Sequence, residues 1–174
     1  MSSSDVPNAP DPSRSNPRWW GGVVTGAVFG AAVVAVAAYL LMPGMMLMTE
    51  PSRLSFDQTV TEIEHAIDEQ GWESPGTLDM QKSLGKHEVD FAHRVKVIQL
   101  CKPKYAADVL KTDRYVSCLM PCTIAVWEDD AGRVFVSKMN TGLMGKLFGG
   151  NIARVMGDHV AAEEHAMLES VLAH

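Results

Sequence analysis

Thirty consecutive residues near the start of the chain carry no charge, and this run limits what the N-terminal part can fold into. It extends from Trp19 to Met48, and Gly21 to Met42 is its most continuously apolar part. About 20 apolar residues cross the hydrocarbon core of a bilayer as a helix. The apolar part of a cleavable signal peptide is shorter, about 7–15 residues. We therefore predict a retained transmembrane helix, with its interfaces, over residues 19–48. A signal peptide cleaved after Ala35-Val36-Ala37 is the alternative.

The basic residues on either side of this run predict its orientation. Arg14 and Arg18 precede it, whereas Arg53 is the first basic residue after it. Because basic residues favour the cytoplasmic side of a membrane, the N-terminus should lie in the cytoplasm. The chain would then sit in the inner membrane, with its main domain in the periplasm or outside the cell. Residues 1–18 are rich in Ser, Pro and Asp, and we predict a disordered cytoplasmic tail.

Three glycines of the apolar run are spaced four residues apart. Gly22, Gly26 and Gly30 would share one helix face, the small-xxx-small pattern that lets two helices approach closely. We predict from this spacing that the membrane helix pairs with a second copy of the chain. The alternative is that these glycines reflect only the general abundance of small residues in membrane helices.

The rest of the chain mixes helical and strand patterns, which predicts an α+β domain over residues 56–174 after a tether over residues 49–55. Phe56, Val60, Ile63 and Ile67 recur at helical spacing behind Ser55, which is a favourable N-cap residue. Apolar runs rich in β-branched residues predict strands. These runs are Val95 to Leu100, Val116 to Trp127, and Val134 to Met139, the last two forming a hairpin; a final helix follows over Asn151 to Ala173.

All three cysteines lie in or beside the central strands, and they are the first candidates for chemistry. Cys101 ends the first strand. Cys118 and Cys122 are four residues apart, so a regular strand would place both on one face. Three thiolates suit a soft metal ion such as Cu(I) or Zn(II), which predicts a metal site at Cys101, Cys118 and Cys122. Their spacing differs from the paired CxxC spacing of zinc ribbons.

A cysteine thiolate can also bind haem iron axially. The CxxCH signature of covalent haem is absent from the sequence, so a haem here would be haem b. Lys102 and Lys104 follow Cys101 closely and should lower the pKa of its thiol. The predicted cofactor-binding residues, for haem b or a soft metal ion, are Cys101, Lys102, Lys104, Met120 and Cys122.

Two other roles for the cysteines stay open. Cys101 could form a reversible redox pair with Cys118 or Cys122. Alternatively, all three could be small buried apolar side chains in a domain that only interacts with other molecules or has a structural role.

Several function classes are disfavoured by the sequence. The formal net charge is −6, and the basic residues do not cluster as a nucleic-acid surface requires. The chain contains no nucleophile elbow, no glycine-rich phosphate loop after a strand and no HExxH motif. We therefore expect a binding module more than an enzyme.

Three consecutive segments resemble the DUF302 family. They are IQLCKPKYAADVL, LMPCTIAVWEDDAGRVFVSKMN and TGLMGKLFGGNIARVM, and the resemblance extends over roughly Phe56 to Leu172. It implies a small α+β domain with a curved, mostly antiparallel sheet packed by helices. It also implies that this domain is often a dimer, so the soluble domain is a second predicted contact between two copies. It implies no established reaction. Lys102 stands where the family pattern leads us to expect asparagine.

Overall fold

The computed structural model of the chain describes the backbone of residues 17–173 and the side chains of residues 22–173. The chain divides into two compact units, one that ends at Met42 and one that begins at Pro43. The predicted disordered tail, residues 1–18, lies outside the described residues except for its last two. Pro17 and Arg18 are the first residues of a helix.

Helix α1, Pro17–Met46, contains the charge-free run. Its part from Gly22 to Met46 has a mean hydropathy of 2.2, with none of its most apolar window buried among the described residues. By length and composition it can cross a membrane. Apart from its chain neighbours and the helix's own nearby backbone, a Cβ placed at Gly22, Gly26 or Gly30 has no heavy atom of the described residues within 4 Å. This glycine face is therefore open, and pairing through it stays a prediction.

The second unit is built on an open five-stranded antiparallel sheet with the strand order β1-β5-β4-β3-β2. This confirms the predicted α+β fold with an antiparallel sheet packed by helices. The strands are β1 Leu47–Pro51, β2 Glu73–Asp79, β3 Val95–Cys101, β4 Cys122–Glu128 and β5 Val134–Met139.

Helices connect and cover these strands. They are α2 Phe56–Glu69, α3 Met80–Gly85, α4 Pro103–Thr112, a 3-10 helix Arg114–Leu119 and α5 Thr141–Phe148. The final helix is continuous, with α6 Gly150–Ile152, a π-helical segment Ala153–Val160 and α7 Ala161–Leu168. It is shorter than predicted, since the residues after Leu168 are not helical.

The core lies between one face of the sheet and the helices. Ile98 pairs with Ile124, and Val126 pairs with Val136, so all four side chains share that face. All four are buried, as period-2 alternation along a half-buried strand requires. The core is completed by buried side chains of α2 and the final helix, which are Phe56, Val60, Ile63, Ile67, Ile152, Val155, Val160, Met167 and Leu168.

The predicted tether is wrong over its first residues, because Leu47–Pro51 forms the edge strand β1, paired with β5. The tether was predicted partly because of Pro51, which has no N–H. Proline is nevertheless tolerated in an edge strand, because such a strand forms hydrogen bonds with a neighbour on one side only. Ser52 is also held in place. Its N–H donates to the carbonyl of Val134 at 2.8 Å, and its hydroxyl donates to the carbonyl of Val171 at 3.0 Å.

The predicted strand over Val116 to Trp127 is also wrong in its first half. Residues Arg114–Leu119 form the 3-10 helix, and β4 begins at Cys122. Pro121 has no N–H to donate to the sheet ladder, so the strand begins only after it.

Candidate functional site

A narrow cleft lies where the end of β3 and the start of α4 meet the final helix, and we call it the sulfur cleft. Its volume is about 20 Å3, enough for roughly one water molecule. The residues that line it are Trp72, Leu100, Cys101, Lys102, Tyr105, Ala106, Met120, Cys122, Met156 and Val160.

The local sequence places these side chains together. Pro103 opens α4 at its first position, where the missing N–H costs nothing, so β3 ends at Cys101 and Lys102 stands between strand and helix. Cys122, the first residue of β4, pairs with Leu100 on the neighbouring strand. The cleft therefore sits at the end of two central strands.

Four side chains with sulfur atoms line this one cleft. They are Cys101, Met120, Cys122 and Met156. Three of them belong to the predicted site residues. The sequence analysis missed Met156, which the π-helical segment presents from the final helix.

Glu163 is the polar centre beside the cleft. Its carboxylate accepts hydrogen bonds from Trp72 Nε1 at 2.6 Å, Lys102 Nζ at 2.6 Å and Tyr105 Oη at 2.5 Å. The Lys102 ammonium also lies over both rings, 5.7 Å from the Trp72 centroid and 5.1 Å from that of Tyr105. Lys102 is thus held by a carboxylate and two aromatic faces.

Sequence reasoning missed Glu163 because its only visible signal was a position four residues after His159, which favours a surface pair. His159 instead stacks on Tyr105, with ring centroids 5.7 Å apart and an interplanar angle of 15°. The partners of Glu163 lie 58 to 91 residues away in the chain. No local pattern could have indicated them.

The hydrogen bonds determine the protonation states of Glu163 and Tyr105. Burial raises the pKa of Glu163. Hydrogen bonds from Lys102, Tyr105 and Trp72 together lower it by more than burial raises it, so the pKa is below the usual value for a glutamate. The pKa of Tyr105 is raised, first by its hydrogen bond to Glu163 and then by burial. Glu163 is therefore an ionised acceptor, and Tyr105 keeps the proton that it donates.

The thiols in the cleft resist ionisation. Burial raises the pKa of Cys122 to about 12, with smaller contributions from Glu164 and Cys101. Burial also raises the pKa of Cys101, helped by the charge of Glu73. The prediction that lysines lower the pKa of Cys101 is therefore wrong. Lys102 is neutralised by Glu163 at 2.6 Å, and desolvation is the largest influence on the pKa of Cys101.

The structure does not bring the three cysteines together. Cys118 is exposed on the 3-10 helix, where its thiol donates to the carbonyl of Tyr115 at 3.4 Å, and it does not line the cleft. Among the side chains of residues 22–173, no group of three or more His, Cys, Asp or Glu is placed to hold a metal ion. Lys104 also lies outside the cleft lining. Cys101, Cys118 and Cys122 are all free thiols.

Comparison with known proteins identifies the fold. Residues 48–174 match the family model described as domain of unknown function DUF302. Among solved structures, the crystal structure of an uncharacterized conserved DUF302 protein from Bacillus stearothermophilus is similar, with a TM-score of 0.65. The two sequences are 18% identical, and the match covers 72% of this chain and 98% of that one. At this identity the likeness shows the fold alone. No curated protein matches the chain.

Proposed function

The chain belongs to the DUF302 family, which is defined by a domain of unknown function, and from that premise we propose that it is a membrane-anchored module that binds a soft metal ion. The ion proposed is Cu(I), bound in the sulfur cleft. One observation carries the proposal, which is that Cys101, Met120, Cys122 and Met156 line a single cleft. Thiolates and thioethers are the protein ligands that Cu(I) prefers.

The ligands that line the cleft fit Cu(I) better than Zn(II). Two thiolates and one Cu(I) leave a net charge of −1, which is costly in a buried place unless a positive charge lies close. Lys102 lines the same cleft, but its ion pair with Glu163 at 2.6 Å leaves it only a partial counter-charge. Zn(II) is a poorer match, because its structural sites use four Cys or His ligands. The sulfur cleft offers two cysteines and no histidine.

Size favours an ion over a macrocycle. The cleft holds about 20 Å3, whereas organic ligand pockets commonly enclose about 300–1,000 Å3. Haem b would therefore require α4 and the final helix to separate.

A thiol redox role is the main alternative, because Cys101 and Cys122 line the same cleft. It is disfavoured because a thiol with a raised pKa is a weak nucleophile near neutral pH.

Binding of Cu(I) to the full-length chain in a non-ionic detergent tests the proposal. Under anaerobic competition with a chromogenic Cu(I) chelator, we expect one ion per chain. Cys101→Ser and Cys122→Ser should each weaken binding at least about tenfold, since each removes a thiolate ligand. Cys118→Ser is the matched control, because its exposed thiol lies outside the cleft, and it should bind like the wild type.

The pH dependence provides a second readout. The pKa of Cys122 is about 12, and that of Cys101 is also raised, so both thiols are protonated at neutral pH and must release protons when they bind a metal ion. Affinity should therefore rise with pH, by up to about 100-fold per unit if two protons are released. Failure to take up Cu(I), or equal weakening by Cys118→Ser, would contradict the proposal. A reversible Cys101–Cys122 disulfide without Cu(I) uptake would favour the redox alternative.

We further propose that α1 anchors the chain in the inner membrane, with the N-terminus in the cytoplasm and the DUF302 domain outside. The support is the length and hydropathy of Gly22–Met46, together with Arg14 and Arg18 before the run and Arg53 alone soon after it.

Cys118 is a natural reporter of this topology because its thiol is exposed on the DUF302 domain. A membrane-impermeant maleimide should label the chain in intact spheroplasts, and Cys118→Ser should remove most of that label. The chain should also stay in the membrane fraction after carbonate extraction. Labelling only after lysis would show the opposite orientation, and release by carbonate would show that α1 is not a membrane anchor.

A further inference from the structure

A second cavity lies between α4 and the π-helical segment, and it differs from the sulfur cleft in both size and charge. Its volume is about 340 Å3, within the range of small-molecule pockets. Lys104, Asp108 and Lys111 line it from α4, and Arg154 and His159 line it from the facing helix. We call it the basic groove.

The basic groove is positively charged, whereas the chain as a whole is negatively charged. The formal net charge of the whole sequence is −6, yet the groove combines Lys104, Lys111 and Arg154 with the single carboxylate of Asp108. These three cations and one anion leave an excess of two positive charges. Lys104, Asp108 and Lys111 stand at positions i, i+4 and i+7 of α4, so they share one helix face.

The excess charge lies on the two lysines. Arg154 Nη2 donates to Asp108 Oδ2 at 2.6 Å and to Asn151 Oδ1 at 2.6 Å. Asn151 Nδ2 in turn donates to the Asp108 carbonyl at 2.9 Å, so α4 and the final helix are joined at this point. Asp108 and Arg154 thus neutralise each other. With the side chains of residues 22–173, those of Lys104 and Lys111 form no hydrogen bond or ion pair.

We infer that the basic groove binds a phosphate group, carried by a small molecule or by a lipid headgroup. Two unneutralised ammonium groups match the charge of a phosphate near neutral pH, and lysine binds phosphate as a point charge. The Arg154 guanidinium has further N–H donors beside the one engaged with Asp108 and Asn151. The ring of His159, exposed and stacked on Tyr105, adds a nitrogen donor at the rim. This site is separate from the metal-binding proposal and does not depend on it.

Titration calorimetry on the full-length chain in a non-ionic detergent tests this site, with pyrophosphate, inorganic phosphate and glycerol 3-phosphate as probes. At low ionic strength we expect saturable binding with a dissociation constant in about the millimolar range or tighter. Lys104→Ala/Lys111→Ala should weaken it at least about tenfold. Lys82→Ala/Lys86→Ala removes two exposed lysines of or beside α3 that do not line the groove, and this control should bind like the wild type.

The probes distinguish the source of the phosphate. Tighter binding of glycerol 3-phosphate supports a lipid headgroup, and tighter binding of pyrophosphate or phosphate supports a free phosphate compound. The charge reversal Lys111→Glu should weaken both classes more than Lys111→Ala does. The inference is overturned if no probe shows saturable binding at concentrations up to about 10 mM. It is also overturned if the groove and control substitutions have equal effects.

Discussion

Replacing Glu164 with leucine should lower the free energy of unfolding by about 3–5 kcal/mol, because it leaves the ammonium of Lys138 buried without a counter-charge. Lys138 Nζ donates to Glu164 Oε2 at 2.9 Å, with side-chain exposures of 9% and 2%. Thr141 Oγ1 donates to the same oxygen at 3.0 Å. An ion pair so well enclosed leaves little surface on which water could replace a lost partner.

The reciprocal and double substitutions provide the control. Lys138→Met alone should also be strongly destabilising, because the Glu164 carboxylate is then left buried. Lys138→Met/Glu164→Leu should recover most of the loss and come within about 1 kcal/mol of the wild type or exceed it. Urea unfolding of the four full-length chains in one detergent measures this cycle. A double variant as unstable as the single variants would show that packing, and not charge, dominates at this site.

Gly145→Ala should lower the free energy of unfolding by about 3 kcal/mol, the upper part of the range for overpacking. A Cβ at this position would lie 2.6 Å from the backbone nitrogen of Gly157 and 2.7 Å from its Cα. Both atoms belong to the backbone of the π-helical segment, so no side-chain rotation can relieve the clash. Helix α5 and that segment would have to move apart, and the segment carries Met156, which lines the sulfur cleft.

Gly142→Ala is the matched control, three residues earlier in the same helix. A Cβ there would meet Asn140 Oδ1 at 3.6 Å and the Cβ of Ala161 at 3.8 Å, which are ordinary contacts. Because alanine favours helix over glycine by about 1 kcal/mol, this variant should be as stable as the wild type or more so. The same urea unfolding measurement compares the two. Equal effects of the two substitutions would show that the contact between α5 and Gly157 is unimportant.

Features that depend only on residues close together in the sequence could be predicted from the sequence. The charge-free run predicted helix α1 because only its length and hydropathy matter for that prediction. Ser55 was expected to cap α2, and it is the N-cap residue, with its N–H donating to Gln58 Oε1 at 3.3 Å. In β4, period-2 alternation places Cys122, Ile124 and Val126 on one face, and the burial pattern follows it.

The sequence by itself determined which segments are apolar and with what period, and therefore the fold class, helices α1 and α2, the final helix and the central strands. Periodicity reports which face of a segment is buried, but it does not report what that face packs against. Only the tertiary structure placed Glu163 against Lys102, Tyr105 and Trp72, and put Met156 beside two cysteines while leaving Cys118 exposed. It also decided the pKa of the thiols, because desolvation depends on every element around a group and outweighs the charges of its sequence neighbours.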